Sequence, residues 1–463
     1  RPVDGHPTTP GRVPVVTSGP GTPAHSPHPV TRSATIGAVS DPSPDIPRPT
    51  EHQLRWQALG TGMFVHFGLN TFAGLEWSDG TLPAAGFDPP ELDAAGWART
   101  AVSMGARYLV LTAKHHDGFC LWPTATTDYS VRSSPWRGGH GDVVAEVAEA
   151  CREAGLGLGL YLSPWDRNAA CYPDPVAYSD FYTRQLTELC TGYGDLVELW
   201  FDGAGSEGYQ YDWDAIMAVV EQHQPRAMVF NMGRPTIRWV GNEDGLAGDP
   251  NHYAVTATRT SQYTDGREEL TAAQYLPPEC DVSLRRGWFW HPDDEPKTLE
   301  HLLAIHERSV GLGAQLLLNV PPTTAGVIDP ADAARVAELG AEVARRYGRP
   351  TATSLARLDE RRWAARAERA GEVDVVELVE DLTEGQRVTG FRVLAGTGVV
   401  ASGSTVGQRR LVPLPRQRVE ELVVELDGPA PRLAAVQLHH TGVDERPQVP
   451  EGYTAPTDRP DDH

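Results

Sequence analysis

Lysine is scarce in this sequence and the balance of charge is strongly acidic. Lys and Arg together number 40 against 62 Asp and Glu, giving a formal net charge of −22. Arginine supplies nearly all of the positive charge, and it is dispersed. A chain like this lacks the basic face that sequence-independent binding to nucleic acid or to an anionic membrane requires. Cysteine is also sparse: Cys120, Cys151, Cys171, Cys190 and Cys280. No two form a CxxC pair, so neither a small disulfide framework nor a structural zinc site is expected, and no metal or organic cofactor is read. No apolar run approaches the length of a membrane span. There is no HExxH, no long internal repeat, and no GxGxxG turn after the first strand-like run.

What is present is a rhythm. Residues 1–50 are rich in Pro, Thr, Ser and Gly with little hydrophobic period. They read as an extended or disordered lead-in of the kind common on exported proteins, so a secreted or extracytoplasmic location is expected. From residue 51 to 348, short apolar runs alternate with helical patterns. GMFVHF, RYLVLT, LGLGLYL, LVELWF, AMVFN and AQLLLNV read as strands; GDVVAEVAEACREAG and DPADAARVAELGAEVARRYG read as amphipathic helices. Strands that alternate with helices imply parallel βαβ units, and the count approaches the eight of a (β/α)₈ barrel. A doubly wound open sheet is the rival, weakened by the missing Gly-rich turn. Residues 349–443 change to short alternating runs between turn residues, which reads as a β-sandwich. Residues 444–463 read as a polar tail.

In a barrel, reactive groups stand just past the strands at their C-terminal ends. The first strand ends at His66. The second ends at Lys114, His115, His116 and Asp117. The third reaches Tyr161 and the fourth reaches Trp200 and Asp202. RWVGNEDG then brings Glu243, and PPECDVSLRRGWFWH brings Glu279 and Trp288. Adjacent histidines point to opposite sides of an extended chain, so His115 and His116 argue against a metal pair. Beside His66, Tyr161 and Trp200 they fit a pocket that grips a polar ligand. Asp202 is rigidly placed, for a nucleophile or for a helix cap. Glu243 and Glu279 are the candidates for a second carboxylate, which glycoside hydrolysis uses as its acid. Trp77, Trp122, Trp165, Trp200, Trp288 and Trp290 offer flat faces of the kind that suit a sugar ring or a methyl group.

GMFVHFGLNTF, LEWSDG, LTAKHHDGFCLW, LGLGLYLSPWDRN, LWFDGA, RWVGNEDGLAG and PECDVSLRRGWFWH together resemble the α-L-fucosidases of glycoside hydrolase family 29. The resemblance is strongest to the branch specific for α-1,3/1,4 linkages, and it covers roughly residues 52–345. It implies a retaining exo-acting hydrolase whose partners are fucosylated oligosaccharides or glycoconjugates. Asp202 would be the nucleophile and Glu243 the acid/base, with Glu279 as the alternative acid. His66, Glu76, Trp77, His115, His116, Tyr161, Trp200 and Trp288 would contact the sugar. The rival readings are a carbohydrate-binding protein on an inactive barrel and a transfucosylase with the same site.

Overall fold

Apolar runs closed by glycine and reopened by capping Asp residues build the larger part of the molecule. The computed structural model describes residues 46–260 and 266–455; the expected lead-in up to residue 45 and the tail from residue 456 lie outside the described residues. In chain order come α1 (Glu51–Gln57), β1 (Thr61–Val65), α2 (Leu69–Ala73), α3 (Ala94–Met104), β2 (Tyr108–Lys114), α4 (Val143–Ala154), β3 (Gly157–Leu162), α5 (Pro175–Gly192), β4 (Leu196–Trp200), α6 (Trp213–His223), β5 (Met228–Phe230) and β6 (Arg238–Trp239). A hairpin of β7 (Ala254–Arg259) and β8 (Arg267–Tyr275) follows, then β9 (Pro278–Ser283), α7 (Leu299–Arg308), β10 (Gln315–Asn319) and α8 (Pro330–Tyr347). Asp93, Asp142, Asp174, Asp212, Thr298 and Asp329 cap α3 to α8, each accepting a hydrogen bond from a backbone N–H in the first turn. These caps satisfy donors that the helix itself cannot.

Eight strands form one sheet in the order β5-β4-β3-β2-β1-β10-β9-β6, parallel at every pairing. The seam between β5 and β6 is narrowed by a parallel bridge from Phe230 to Ile237. The result is a (β/α)₈ barrel. Residues alternate along each strand. Leu109, Leu111, Leu158, Leu160, Leu316 and Leu318 face the helices. Phe64, Tyr108, Val110, Tyr161, Trp200, Phe230 and Leu317 fill the interior. Gly62 makes room for Tyr108: a Cβ on it would lie 2.4 Å from the tyrosine ring. Two strands were not legible as strands. β6 is two residues long, and β9 carries Glu279 and Asp281 at alternate positions, so its polar face turns inward.

The C-terminal part is one antiparallel sheet in the order β11-β16-β12-β15-β13-β14, built from β11 (Thr351–Arg357), β12 (Arg362–Glu380), β13 (Gly390–Ala395), β14 (Gly398–Gly403), β15 (Arg410–Asp427) and β16 (Leu433–His439). β11 also pairs with β12, which folds the sheet over its own apolar core, as in a β-sandwich. Asp249 of the barrel part binds Arg410 through two bonds of 3.1 and 2.7 Å. The polar tail expected from Asp444 packs, as far as Ala455, on α7, α8 and a barrel loop. All five cysteines are unpaired. Among the described residues no helix is long and apolar enough to cross a membrane.

Candidate active site

The C-terminal ends of the strands surround a cavity of about 230 Å³. This is smaller than the roughly 300–1,000 Å³ that drug-sized ligands occupy, and it suits a single monosaccharide. His66, Trp77, His115, His116, Tyr161, Trp200, Asp202, Glu243 and Trp288 all line it. Residues drawn from β1 through to the segment after β9 therefore meet at one point, because each follows a strand of the same closed sheet.

The three histidines are buried and neutral. The side chain of Asn319, at the end of β10, donates to Ser283 Oγ (3.0 Å) and to the Trp288 carbonyl (2.8 Å). Its Oδ1 is thereby fixed as the acceptor facing His66 Nδ1 at 2.9 Å. The proton of His66 sits on Nδ1, and Nε2 is left as an acceptor. Burial lowers the His66 pKa to about 3 against the opposing pull of that hydrogen bond. His116 repeats the device. Ser163 Oγ donates to the Trp165 carbonyl at 2.6 Å, so it accepts from His116 Nδ1–H at 2.7 Å. His116 Nε2 then stands 3.6 Å from Asp202 Oδ2. Both atoms are acceptors, so neither bonds to the other, and His116 Nε2 is left to accept from a ligand donor. Burial, followed by its two histidine neighbours, holds His115 well below the usual histidine range. Among the described residues its Nδ1 has no hydrogen-bond partner.

Asp202 lies two residues beyond β4. Its Oδ1 accepts from the Ala204 N–H at 2.8 Å, and its Oδ2 accepts from the Tyr161 hydroxyl at 3.1 Å. The side chain keeps 28% exposure, and that exposed part opens into the cavity. Aromatic planes complete the wall. Trp200 stacks on Phe230 at 3.7 Å, Trp288 lies 5.0 Å from His66, and Trp77 stands edge-on to His116 at 5.5 Å. Glu243 sits on the loop after β6.

Two residues expected at the ligand are placed elsewhere. Glu279 is a β9 residue whose side chain points into the barrel floor and is wholly buried. Its oxygens accept from the Tyr108 hydroxyl (2.5 Å) and the Trp200 indole (3.0 Å), so it is not an acid within reach of a ligand. Glu76 is buried behind the wall and accepts from the Trp288 N–H at 2.7 Å. It shapes the wall and does not line it. Gly287 permits this, since a Cβ there would lie 1.9 Å from Glu76 Oε1. Three of the tryptophans are also outside the lining: Trp165 packs on Trp77 and His116, and two lie further off. Trp122 is core and donates to Glu188 at 2.7 Å, and Trp290 packs by Arg285.

Among the polar and aromatic lining residues not named from the sequence are Asp281, Asn231 and Trp239, with Glu207 and Thr260 on loops beside them. Asp281 follows Glu279 by two and so shares its inward face, but nearer the mouth; its Oδ1 accepts from the Trp239 indole at 2.7 Å. Asn231 closes the run AMVFN, and the strand-end rule used for the other runs would have found it. Trp239 stands on the two-residue β6, too short to announce itself. Among the described residues no group of three or more His, Cys, Asp or Glu is arranged to hold a metal.

Aromatic planes and carboxylates around so small a space are how (β/α)₈ enzymes hold and cleave sugars. The α-L-fucosidase family model matches residues 75–346. An Arabidopsis thaliana protein, alpha-L-fucosidase 1, is 46% identical over 303 residues, which is 63% of this chain and 59% of that protein. This chain therefore spans about three-fifths of that relative. An Oryza sativa subsp. japonica relative whose name carries the same activity is 39% identical over 445 residues, 87% of this chain and 86% of its own. A Ruminococcus gnavus GH29 fucosidase solved in complex with fucose superposes with a TM-score of 0.75 at 27% identity, over 88% of this chain and 97% of that one. The chain belongs to the α-L-fucosidase family.

Proposed function

We propose that this protein is a retaining exo-α-L-fucosidase that releases L-fucose from α-1,3/1,4-linked branched glycans, with Asp202 as nucleophile and Glu243 as acid/base. The observation that carries the reading is Asp202: a strand-end carboxylate pinned at both oxygens yet open to a cavity it shares with Glu243. Its oxygen bonds to the anomeric carbon as the bond to the leaving oxygen breaks, and Glu243 gives that oxygen its proton. Water then opens the fucosyl ester. Glu243, now a carboxylate, takes a proton from the water, whose oxygen bonds to the anomeric carbon and releases Asp202. Two inversions return the original anomer.

The unprotonated nitrogens of His66 and His116 accept from sugar hydroxyls, and His115 adds a third contact. Trp77, Trp200 and Trp288 offer apolar faces to ring C–H groups and to the deoxy-sugar methyl. A cavity for one residue supports action on a terminal sugar. The fucose bound to the Ruminococcus gnavus relative supports the ligand, and the RWVGNEDG stretch supports the linkage class. Action outside the cytoplasm goes with such substrates.

Time-resolved proton NMR tests the reading, with an α-1,4-fucosylated Galβ1,3GlcNAc trisaccharide and 2′-fucosyllactose in parallel. Early α-fucose from the trisaccharide, with little from the other, is the expected outcome. Early β-fucose would break the Asp202 mechanism. No release from either would make the barrel a binding protein.

A further inference from the structure

The loop that carries Glu243 has no helix to hold it. Residues 240–253, between β6 and β7, contain no regular structure. Asn242 braces the loop from within: its Oδ1 accepts from the Asp244 N–H at 3.1 Å, and its Nδ2 donates to the Leu246 carbonyl at 2.9 Å. The other side of the loop is met by the segment that follows β16. After β16, Arg446 is fixed on Glu307 of α7 and on the Tyr347 hydroxyl of α8, both at 3.3 Å. The chain turns at Pro450, whose carbonyl accepts from the Tyr453 N–H at 3.1 Å. The Tyr453 ring stands edge-on to His301 at 4.5 Å and 5.3 Å from the Lys297 ammonium. Lys297 in turn donates to the carbonyls of Ser283 (2.6 Å) and Arg285 (3.1 Å), where β9 ends. Two residues on, the Ala455 N–H donates to the carboxylate of Asp244, next to Glu243. Burial, then the charges of Asp244 and Glu243, push the Tyr453 hydroxyl up, which sets the ring within electrostatic reach of both.

We propose that residues 446–455 form a strap that positions the Glu243 loop, with the Tyr453 ring as its anchor. The proposal rests on the reading of Glu243 as the acid/base. A general acid must stand within hydrogen-bond reach of the leaving oxygen, and a misplacement of about 1 Å costs about 10²-fold in rate. An irregular loop needs outside contacts to be held that closely, because each free residue carries backbone entropy. The strap supplies them with one ring, one arginine and one backbone hydrogen bond. It takes no part in the apolar core of the barrel or of the C-terminal sheet, so its loss leaves both intact. The Tyr453 hydroxyl has no hydrogen-bond partner among the described residues, so the ring makes the contact.

The test compares three full-chain variants on two substrates. An aryl fucoside with an acidic leaving group needs little protonation, and a fucosylated trisaccharide needs a proton. Tyr453→Ala is expected to lower kcat on the trisaccharide by about 10-fold or more and on the aryl fucoside by less than about 2-fold, with an unchanged thermal midpoint. Tyr453→Phe keeps the ring and is expected to restore the wild-type ratio of the two rates. Glu243→Ala is expected to show the same selectivity, larger. A wild-type ratio in Tyr453→Ala beside a selective Glu243→Ala would overturn the strap and leave Glu243 standing. Phe as damaging as Ala would overturn the ring as anchor. Equal losses on both substrates in Glu243→Ala would overturn the acid/base reading, and the strap with it.

Discussion

The barrel holds carboxylates at two depths and treats them differently. At the mouth, Asp202 is held at each oxygen by one protein donor but keeps 28% of its side chain open to the cavity. At the floor, Glu198 and Glu279 are wholly buried. Glu279 accepts from Tyr108 and Trp200, and Glu198 accepts from the Trp56 indole at 3.0 Å. Burial, then the neighbouring Glu279, drives Glu198 well above the usual carboxylate range, and burial raises Glu279 as well. The two depths teach that a buried acid does not by itself mark a reactive site. What marks one is an oxygen that faces space a ligand can enter, on a side chain the fold holds still.

The sharpest way to break the comparison is Asp202→Gly. Loss of a nucleophile is expected to lower kcat by about 10⁴-fold or more. Stability is expected to stay near wild type, because the Tyr161 hydroxyl released by the change lines the cavity, where solvent can replace its partner. Steady-state kinetics with an aryl fucoside and a thermal unfolding curve check both halves. A wild-type rate would sink the nucleophile assignment. A collapse of the fold would sink the distinction between mouth and floor.

Glu279→Ala is the floor counterpart, and its expected effect is the reverse. The Tyr108 O–H and the Trp200 N–H would lose their acceptor inside a dry interior, a loss of about 2–4 kcal/mol. Trp200 also lines the cavity, so KM is expected to rise while kcat changes less. Glu279→Gln retains one acceptor oxygen and is expected to lose less. Urea unfolding read beside the kinetics distinguishes the two depths: a Glu279→Ala protein as stable as wild type would show that the floor carboxylate holds nothing.

The sequence was legible where one rule sufficed. Long apolar runs between capped helices gave the barrel, and the positions just past those runs gave His66, His115, His116, Tyr161, Trp200 and Asp202. It was illegible where a strand broke the rule. Arg238 and Trp239 are too few to show a period. Pro278 to Ser283 places acids on the inward face, so it reads as a loop, and that misplaced Glu279 at the mouth and hid Asp281. In the C-terminal sheet, Thr351–Arg357 and the charged first half of Arg362–Glu380 gave no strand signal, and Pro413 and Pro415 split Arg410–Asp427 in two. Long bent strands exposed on one face carry more charge than a pattern search tolerates. Glu76 was misplaced for another reason. The family resemblance puts it among the sugar contacts, and only the fold shows that it accepts from the Trp288 and Phe289 N–H groups behind the wall.

The smallest effect sharpens the mouth further, because it concerns a proton on one ring. His66 is buried, with a pKa lowered to about 3 from 6.5. Between those values the unfolded chain binds a proton at this position and the folded chain does not, so His66 withdraws stability as pH falls from 6.5 toward 3. From pH 7 to pH 5 that withdrawal amounts to about 2 kcal/mol. Buried carboxylates with raised pKa values, such as Asp117 and Glu380 at about 7, act in the opposite direction over the same range, so the wild-type curve alone does not isolate the histidine. Replacing it does. His66→Gln leaves a neutral side chain that titrates nowhere in this window. The variant's stability deficit relative to wild type, measured by urea unfolding, is expected to shrink by about 2 kcal/mol between pH 7 and pH 5. A deficit that stays constant would mean that His66 titrates as it does in the unfolded chain. The Nε2 acceptor that the Asn319 contact leaves facing the cavity would then be lost at the acidic end of that range.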